Sequence, residues 1–298
     1  MTPSSFVTCF YLAVDLRACA RSLIKNSVSK STQKNYLRAV DKLTEFCRQL
    51  NISKRKKFQL STLEQWIASL YRDKLAHTTI LGHLSAVKHH CMVNQIPHEL
   101  DSKRIRALMA GIKRSQPLPK VKKSISLRQL TKLVQRSKDV LPREERLMFN
   151  AAVTLAFYGF LRPSKYTLSK AGHHLLRKHV TIRKRSILIT LDSYKHARSC
   201  AEIAVHPTDD ETCPCYHLQK YLRCCPASSN EPLFDKSHAD FRSLFHTVCN
   251  HIRLADVTPH SLRHGGATWA GLQGWSDARI QAHGRWRSDA YKIYVKAR

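Results

Sequence analysis

The sequence predicts a mainly α-helical protein of two domains, in which the second adds a small antiparallel β-sheet to its helices. Three observations carry that expectation. Apolar residues recur at helical spacing through the first half of the chain. Two short β-prone runs, His179-Val-Thr-Ile182 and Ser186-Ile-Leu-Ile-Thr-Leu191, flank the basic turn Arg183-Lys-Arg-Ser186, as in a hairpin. Between the halves, Lys113 to Lys123 holds two prolines and several basic residues without an acid, a composition that extends instead of coiling. The 298 residues suit two domains at roughly 150 residues each.

Ser31-Thr32 open a helix that runs to Gln49, with Tyr36, Leu37, Val40, Leu43 and Phe46 on its apolar face. The basic loop Lys54-Arg55-Lys56-Lys57 follows. Ser61-Thr-Leu-Glu64 has the form of a capping box, Ser61 capping while Glu64 reaches back, and Leu63, Ile67 and Leu70 form the stripe of that helix. Two further helices cover His77 to Asn94 and Lys103 to Lys113, with apolar faces at Ile80, Leu84, Val87, Cys91 and at Ile105, Leu108, Met109, Ile112. Residues 26–114 thus read as one helical unit around a single core. An extension over 1–25 precedes it and a basic linker over 115–125 follows. The second domain, 126–298, opens with a helix at Ser126 and another from Pro142 to Tyr158. It then lays down the two strands above and a third at Ala201 to Val205, and returns to helix after His217.

The 51 Lys and Arg against 21 Asp and Glu give a formal net charge of +30 with the 17 His neutral. Hydrophobic residues at 43% exclude wholesale disorder. No uninterrupted apolar run reaches the ~18 residues of a spanning helix, so no membrane partner is expected. Self-repulsion on this scale is best tolerated opposite a polyanion, and nucleic acid leads that class. Phe6 to Ala20 is fairly apolar, but Asp15 and Arg17 interrupt it and no basic segment precedes it, unlike a secretory signal. Ten Cys without a compact framework fit a reducing intracellular setting. The tightest group, Cys213-Pro-Cys215-Tyr-His217 with Cys224 and Cys225, invites a zinc reading. Zinc ligand pairs stand at CxxC or wider, however, so these Cys are read as small buried residues starting a helix, and neither metal nor cofactor is expected.

The chemistry concentrates near the end of the chain. In Thr258-Pro-His260-Ser-Leu-Arg263-His-Gly-Gly-Ala-Thr268, His260 and Arg263 share a helix face at i, i+3. An imidazole beside a guanidinium fork suits an anionic oxygen undergoing proton transfer. Further on, Gly284-Arg-Trp286-Arg-Ser-Asp-Ala-Tyr291-Lys-Ile-Tyr294 offers a tyrosine hydroxyl among cations. With a pKa near ~10 such a hydroxyl is a poor nucleophile until bases and cations surround it.

These residues resemble the tyrosine recombinases, also called phage-integrase-type site-specific recombinases. The C-terminal wording is most similar to their eukaryotic mobile-element branch, the Crypton and DIRS-like recombinases, which share a GRW-S-D-A style ending. The resemblance covers nearly the whole chain. Residues 26–114 resemble the helical, SAM-like core-binding domain and 126–298 the α+β catalytic domain, a pair that implies a C-shaped clamp on double-stranded DNA. Leu155-Ala-Phe-Tyr-Gly-Phe-Leu-Arg162 matches the family's first arginine motif. Lys195, in Asp192-Ser-Tyr-Lys195, sits where the family keeps a catalytic lysine in a β-hairpin. His260 and Arg263 match the HxxR box, Trp286 a position held by His or Trp, and Tyr294 the nucleophile. What this implies is DNA cleavage and rejoining through a 3′-phosphotyrosine, serving integration or recombination of a mobile element. It further implies a homotetramer on DNA, no small-molecule substrate, and, with the basic runs, nuclear residence.

The residue types fit that chemistry on their own terms. Two arginine forks stabilise charge on the non-bridging oxygens. Lys195 supplies a proton to the departing 5′ oxygen, His260 takes or shuttles the tyrosine proton, and the Trp286 indole can donate to the phosphate. Bond energy is stored in the phosphotyrosine, so neither ATP nor metal is required. Lys54, Arg55, Lys56, Lys57, Lys113, Arg114, Lys120, Lys122 and Lys123 are expected to follow phosphates, the alternative being solvated surface.

Alternatives stand at several positions. Arg162 can cap a helix C-terminus, and Lys184 lies near the same sheet as Lys195. Tyr291 competes with Tyr294 from one turn away, the family spacing implying that Tyr291 packs. His283 and Arg285 compete with Trp286, and His264 is read as structural. Two departures matter: Lys165 stands where the family has an acidic brace for Arg162, and the sequence ends at Arg298, short of the C-terminal helix common in the family. They leave open a catalytically impaired DNA-binding relic or a topoisomerase IB-like enzyme that nicks and reseals.

Overall fold

The computed structural model describes residues 16–117, 123–169, 172–191 and 200–295. The chain divides into two compact units at residues 119/120, each with its own hydrophobic core.

The first unit is helical throughout. A helix over residues 16–25 (α1) precedes Lys30–Gln49 (α2), Leu60–Arg72 (α3), His77–Asn94 (α4) and Lys103–Ser115 (α5). Leu43, Leu63, Trp66, Ile67, Ile80, Val87 and Cys91 meet in the core, as their 3.6-residue spacing requires. Three details differ from the sequence expectation. Ser29, not Ser31 or Thr32, caps α2, accepting from the Thr32 amide at 3.2 Å. No capping box forms at Ser61: α3 starts at Leu60, whose amide donates to Glu99 Oε2 at 2.7 Å. Glu64 instead faces Arg104 of α5 at 2.6 Å, because a guanidinium fork is a stronger partner for a carboxylate than a backbone amide. Third, α5 continues through Ser115, so Lys113 and Arg114 ride on a helix and not on an extended strap. The Gln116 side chain pins that end, donating to Leu75 O and accepting from the His77 amide, both at 2.7 Å.

The second unit is built around a buried helix. Ser126 and Gln129 form a capping box at the start of Leu127–Arg136 (α6). Next comes Arg143–Tyr158 (α7), almost wholly buried from Leu147 onward. Pro163–Tyr166 (α8) is one turn long with proline in its first position. Strands Val180–Arg183 (β1), Ser186–Leu191 (β2) and Ala201–Val205 (β3) form an antiparallel sheet in that order. Ile187 pairs with Val205 and Ile189 with Ile203. These side chains share one face against the core while their alternates face outward, the two-residue period of a half-covered sheet. Pro214–Cys224 (α9), His238–His251 (α10), His260–Leu272 (α11), Asp277–Gly284 (α12) and Lys292–Val295 (α13) complete the unit.

Helix α11 packs so closely on the segment before α6 and on α7 that only glycine fits at two of its positions. A Cβ on Gly265 would lie 1.9 Å from Ile125 O, and one on Gly266 would lie 2.0 Å from Phe157 O. That contact seats the His260–Arg263 segment against the C-terminal end of α7. Gly265→Ala is therefore expected to lower stability by about 3 kcal/mol or more in urea unfolding, since backbone must move to admit the methyl group. Gly111→Ala, in α5 with nothing within 4 Å of the added carbon, should instead raise stability by about 0.5–1 kcal/mol.

Candidate active site

The site forms where α7 ends. Gly159 terminates the helix, and Phe160 adopts a left-handed conformation, φ 45°, which turns its carbonyl out of the helical direction. Arg162 follows two residues later in extended conformation and precedes α8. Chain connectivity keeps its Cα within about 7 Å of that of Phe160.

The Phe160 carbonyl oxygen accepts from two guanidinium groups. Arg263 Nη1 donates to it, and Arg285 Nη2 donates at 3.1 Å. Arg263 Nη2 donates to Gly284 O at 2.5 Å. The Arg263 side chain is 1% exposed and its guanidinium lies 4.2 Å from the centre of the Trp286 ring, a stacked cation–π geometry. Trp286 reaches that position by folding back over Gly284, where a Cβ would meet the indole at 1.7 Å. The Arg285 backbone, φ 56°, makes the reversal at the end of α12.

An aromatic box closes around Phe160. His283 stands edge-on to its ring at 4.6 Å, and Trp275 and Trp286 lie at 6.2 and 6.1 Å. His283 Nε2 donates to Tyr158 O at 2.8 Å, and burial pushes the pKa of this imidazole down to about 4, so it is neutral at pH 7. His260, half-buried at the first position of α11, meets the buried His264 ring edge-on at 4.6 Å. Ahead of it, Tyr166 Oη donates to Pro259 O at 3.0 Å across the buried interior.

The structure thus brings Arg263 and Trp286 into direct contact, on the segment where Arg162 turns and where His260 begins its helix. Tyr291 is buried against Trp286, ring centres 6.2 Å apart, with its hydroxyl 3.5 Å from Asp277 Oδ2. Tyr294 lies on α13, and the described side chains do not include it. Lys195 belongs to the connection between β2 and β3, outside the described residues. Lys165 turns to His173 O at 2.7 Å. The roles of the Phe160 carbonyl and of Tyr166 have no counterpart among the residues the sequence singles out. Phe160 and Tyr166 look like ordinary core residues in sequence; only Gly284, directly before Arg285-Trp286, carried a legible turn signal.

Comparison with known proteins adds the fold. Residues 21–92 match the family model of the phage integrase N-terminal SAM-like domain. Among solved structures, the XerH site-specific recombinase bound to its difH substrate superposes with a TM-score of 0.63 at 13% identity, covering 89% of this chain and 76% of that one. The fold is that of the tyrosine recombinases. The Tn1549 transposon integrase in complex with transposon right-end DNA gives 0.63 at 13% identity, over 91% and 89% of the two chains. A lambda integrase dimer bound to a COC′ core site gives 0.61 at 16%, over 94% and 75%. No curated protein matches the sequence significantly.

On that fold the basic residues divide by exposure. Lys54, Arg55 and Lys56 are exposed on a 3-10 turn. Lys57 is half-buried: its Nζ donates to Thr44 Oγ1 at 2.5 Å and lies over the Phe58 ring, and burial lowers its pKa. Lys113 and Arg114 are exposed on the last turn of α5. Lys123 pairs with Asp256 at 3.2 Å, and Lys120 and Lys122 lie outside the described residues. In the cysteine group, Cys213 precedes α9, Cys215 Sγ faces Val205 O, and His217 Nε2 is held by Glu211 O at 2.7 Å. Among the described residues, no group of three or more His, Cys, Asp or Glu is arranged to hold a metal.

The neutral His283 makes the site acid-sensitive. Its folded pKa of about 4 lies below the ordinary 6.5, so the unfolded chain binds more protons between those values. Its stability contribution is full above pH 6.5 and is lost as pH falls toward 4, by as much as ~3 kcal/mol. Urea midpoints measured from pH 7 to 4.5 should fall more steeply for the wild type than for His283→Gln, which keeps an amide donor for Tyr158 O without titrating.

Proposed function

We propose that the protein is a site-specific DNA recombinase or integrase that cleaves and rejoins DNA through a covalent 3′-phosphotyrosine. The observation that carries this reading is the buried Arg263 guanidinium, clamped by the Phe160 and Gly284 carbonyls and roofed by Trp286, beside the turn that carries Arg162. Carbonyl dipoles and a ring face orient a guanidinium without neutralising it, so its charge remains for a phosphate held at the same edge.

In this mechanism the Tyr294 oxygen attacks the scissile phosphorus and the bond to the 5′ oxygen breaks. His260 receives the phenol proton, and Lys195 delivers a proton to the departing 5′ oxygen. Arg162 and Arg263 stabilise the charge that builds on the non-bridging oxygens. Attack by a 5′ hydroxyl of another strand reverses these steps and releases the tyrosine. The exposed Lys54–Lys56 run, with Lys113 and Arg114, supplies phosphate contacts that carry no sequence information, giving steep salt dependence. The exchange requires two duplexes held together, so the working form is a homotetramer on DNA. The Gly284-Arg-Trp286 segment supports a mobile-element recombinase of the Crypton and DIRS-like kind, working in the nucleus.

The test is a nicked suicide duplex built from DNA flanking the gene, from which the cleaved 5′ end diffuses away. The wild type and Tyr291→Phe should form a covalent protein–DNA adduct on a denaturing gel, and Tyr294→Phe should form none. No adduct from the wild type on any flanking duplex makes the protein a DNA-binding relic. Relaxation of supercoiled plasmid without strand exchange makes it a topoisomerase.

A further inference from the structure

Two neighbouring side chains after Arg162 point in opposite directions, and the difference assigns them different work. Lys165, at the place where the family resemblance led to an acidic residue, sends its ammonium to His173 O at 2.7 Å, and the Lys165 carbonyl accepts from the Leu175 amide at 2.8 Å. This residue ties α8 to the loop that follows it. Tyr166 points inward. It is 1% exposed, its ring stands edge-on to Phe241 at 5.2 Å, and its hydroxyl donates to Pro259 O at 3.0 Å.

Pro259 is the residue immediately before His260, and its carbonyl also accepts from the Leu262 amide at 3.4 Å in the first turn of α11. One hydrogen bond therefore links the four-residue helix behind Arg162 to the opening turn of the helix that carries His260 and Arg263. Burial raises the Tyr166 pKa well above the ordinary range, so the hydroxyl remains a donor at every working pH. In an interior of low dielectric such a bond is stronger than in water. A second tie lies farther along: Arg263 Nη1 to Phe160 O fixes the end of a long side chain, while Tyr166 fixes backbone. A displacement of about 1 Å at such a joint is enough to cost a large factor in rate.

We infer that Tyr166 is the positioning residue of the active site, bracing the Arg162 turn against the first turn of α11 through Pro259 O, and that Lys165 takes no part in that brace. The inference rests on the recombinase reading above. It does not require Tyr166 to touch DNA.

Tyr166→Phe deletes only the hydroxyl. Amide hydrogen exchange, followed by mass spectrometry on the full chain, should accelerate at least fivefold in peptides spanning residues 258–265 and stay unchanged in peptides from α7. On the suicide duplex, single-turnover cleavage should slow at least tenfold while the Kd for the same DNA stays within twofold. A merely structural residue would move exchange across the whole unit and leave no split between cleavage and binding. Unchanged exchange at 258–265 overturns the brace whatever the activity, and faster exchange with wild-type cleavage overturns its service to the reaction. A wild type that forms no adduct sinks the recombinase reading, and the exchange measurement then judges the brace alone. Lys165→Met should cleave within twofold of the wild type; tenfold slowing, or tenfold gain, would place Lys165 at the site and overturn the assignment.

Discussion

The site depends on one carbonyl oxygen, that of Phe160, which receives a guanidinium nitrogen from Arg263 and another from Arg285. A charged side chain that is 1% exposed is tolerated only when its donors are met, because an ion taken out of water loses several kcal/mol of hydration. Phe160 O and Gly284 O meet two of those donors, and the Trp286 ring covers the face of the charge. Each of these partners is a backbone group or a ring locked in packing, so the guanidinium has little freedom to reorient. Preorganisation of that kind lowers the cost of stabilising charge at the moment of reaction.

For the carbonyl to stand where it does, α7 has to stop abruptly and the chain has to turn through a conformation that L-residues seldom adopt. A phenylalanine at φ 45° carries backbone strain on the order of 1–3 kcal/mol. The aromatic box of His283, Trp275 and Trp286 around its ring offsets that strain by burying a large apolar surface. The Gly265–Gly266 contact then sets the distance from this turn to α11. Strain, close approach and buried charge are thus three parts of one arrangement.

This pattern explains which features were legible in the sequence. Helices α4 and α6 and strands β2 and β3 follow from periodicity, because each buries a regular face whose spacing is the signal. The HxxR box and Gly284-Arg-Trp286 were visible as side-chain types at fixed offsets. Three features were not. The start of α3 is set by Glu99, a carboxylate nearly forty positions away, and no local capping rule can find such a partner. The extent of α5 is set by Gln116 reaching back to Leu75 and His77. The clamp on Arg263 uses main-chain oxygens, which every residue possesses and no sequence can advertise.

The charge shows the same limit from another side. A net +30 is a sum over residues, and a sum does not say which charges face a phosphate. Burial separates them. Lys57 donates to Thr44 and lies over Phe58, Lys165 donates to His173 O, and Arg263 donates to Phe160 and Gly284. Lys57 and Lys165 hold the protein to itself, and the Arg263 guanidinium is fixed in place inside the fold. Lys54, Arg55, Lys56, Lys113 and Arg114 remain exposed. Salt screens an exposed charge within about 10 Å at 0.1 M and leaves a buried one largely untouched. Added salt therefore acts on the exposed group well before it reaches the geometry of the Arg263 clamp, so the two parts of the same positive charge respond to different conditions.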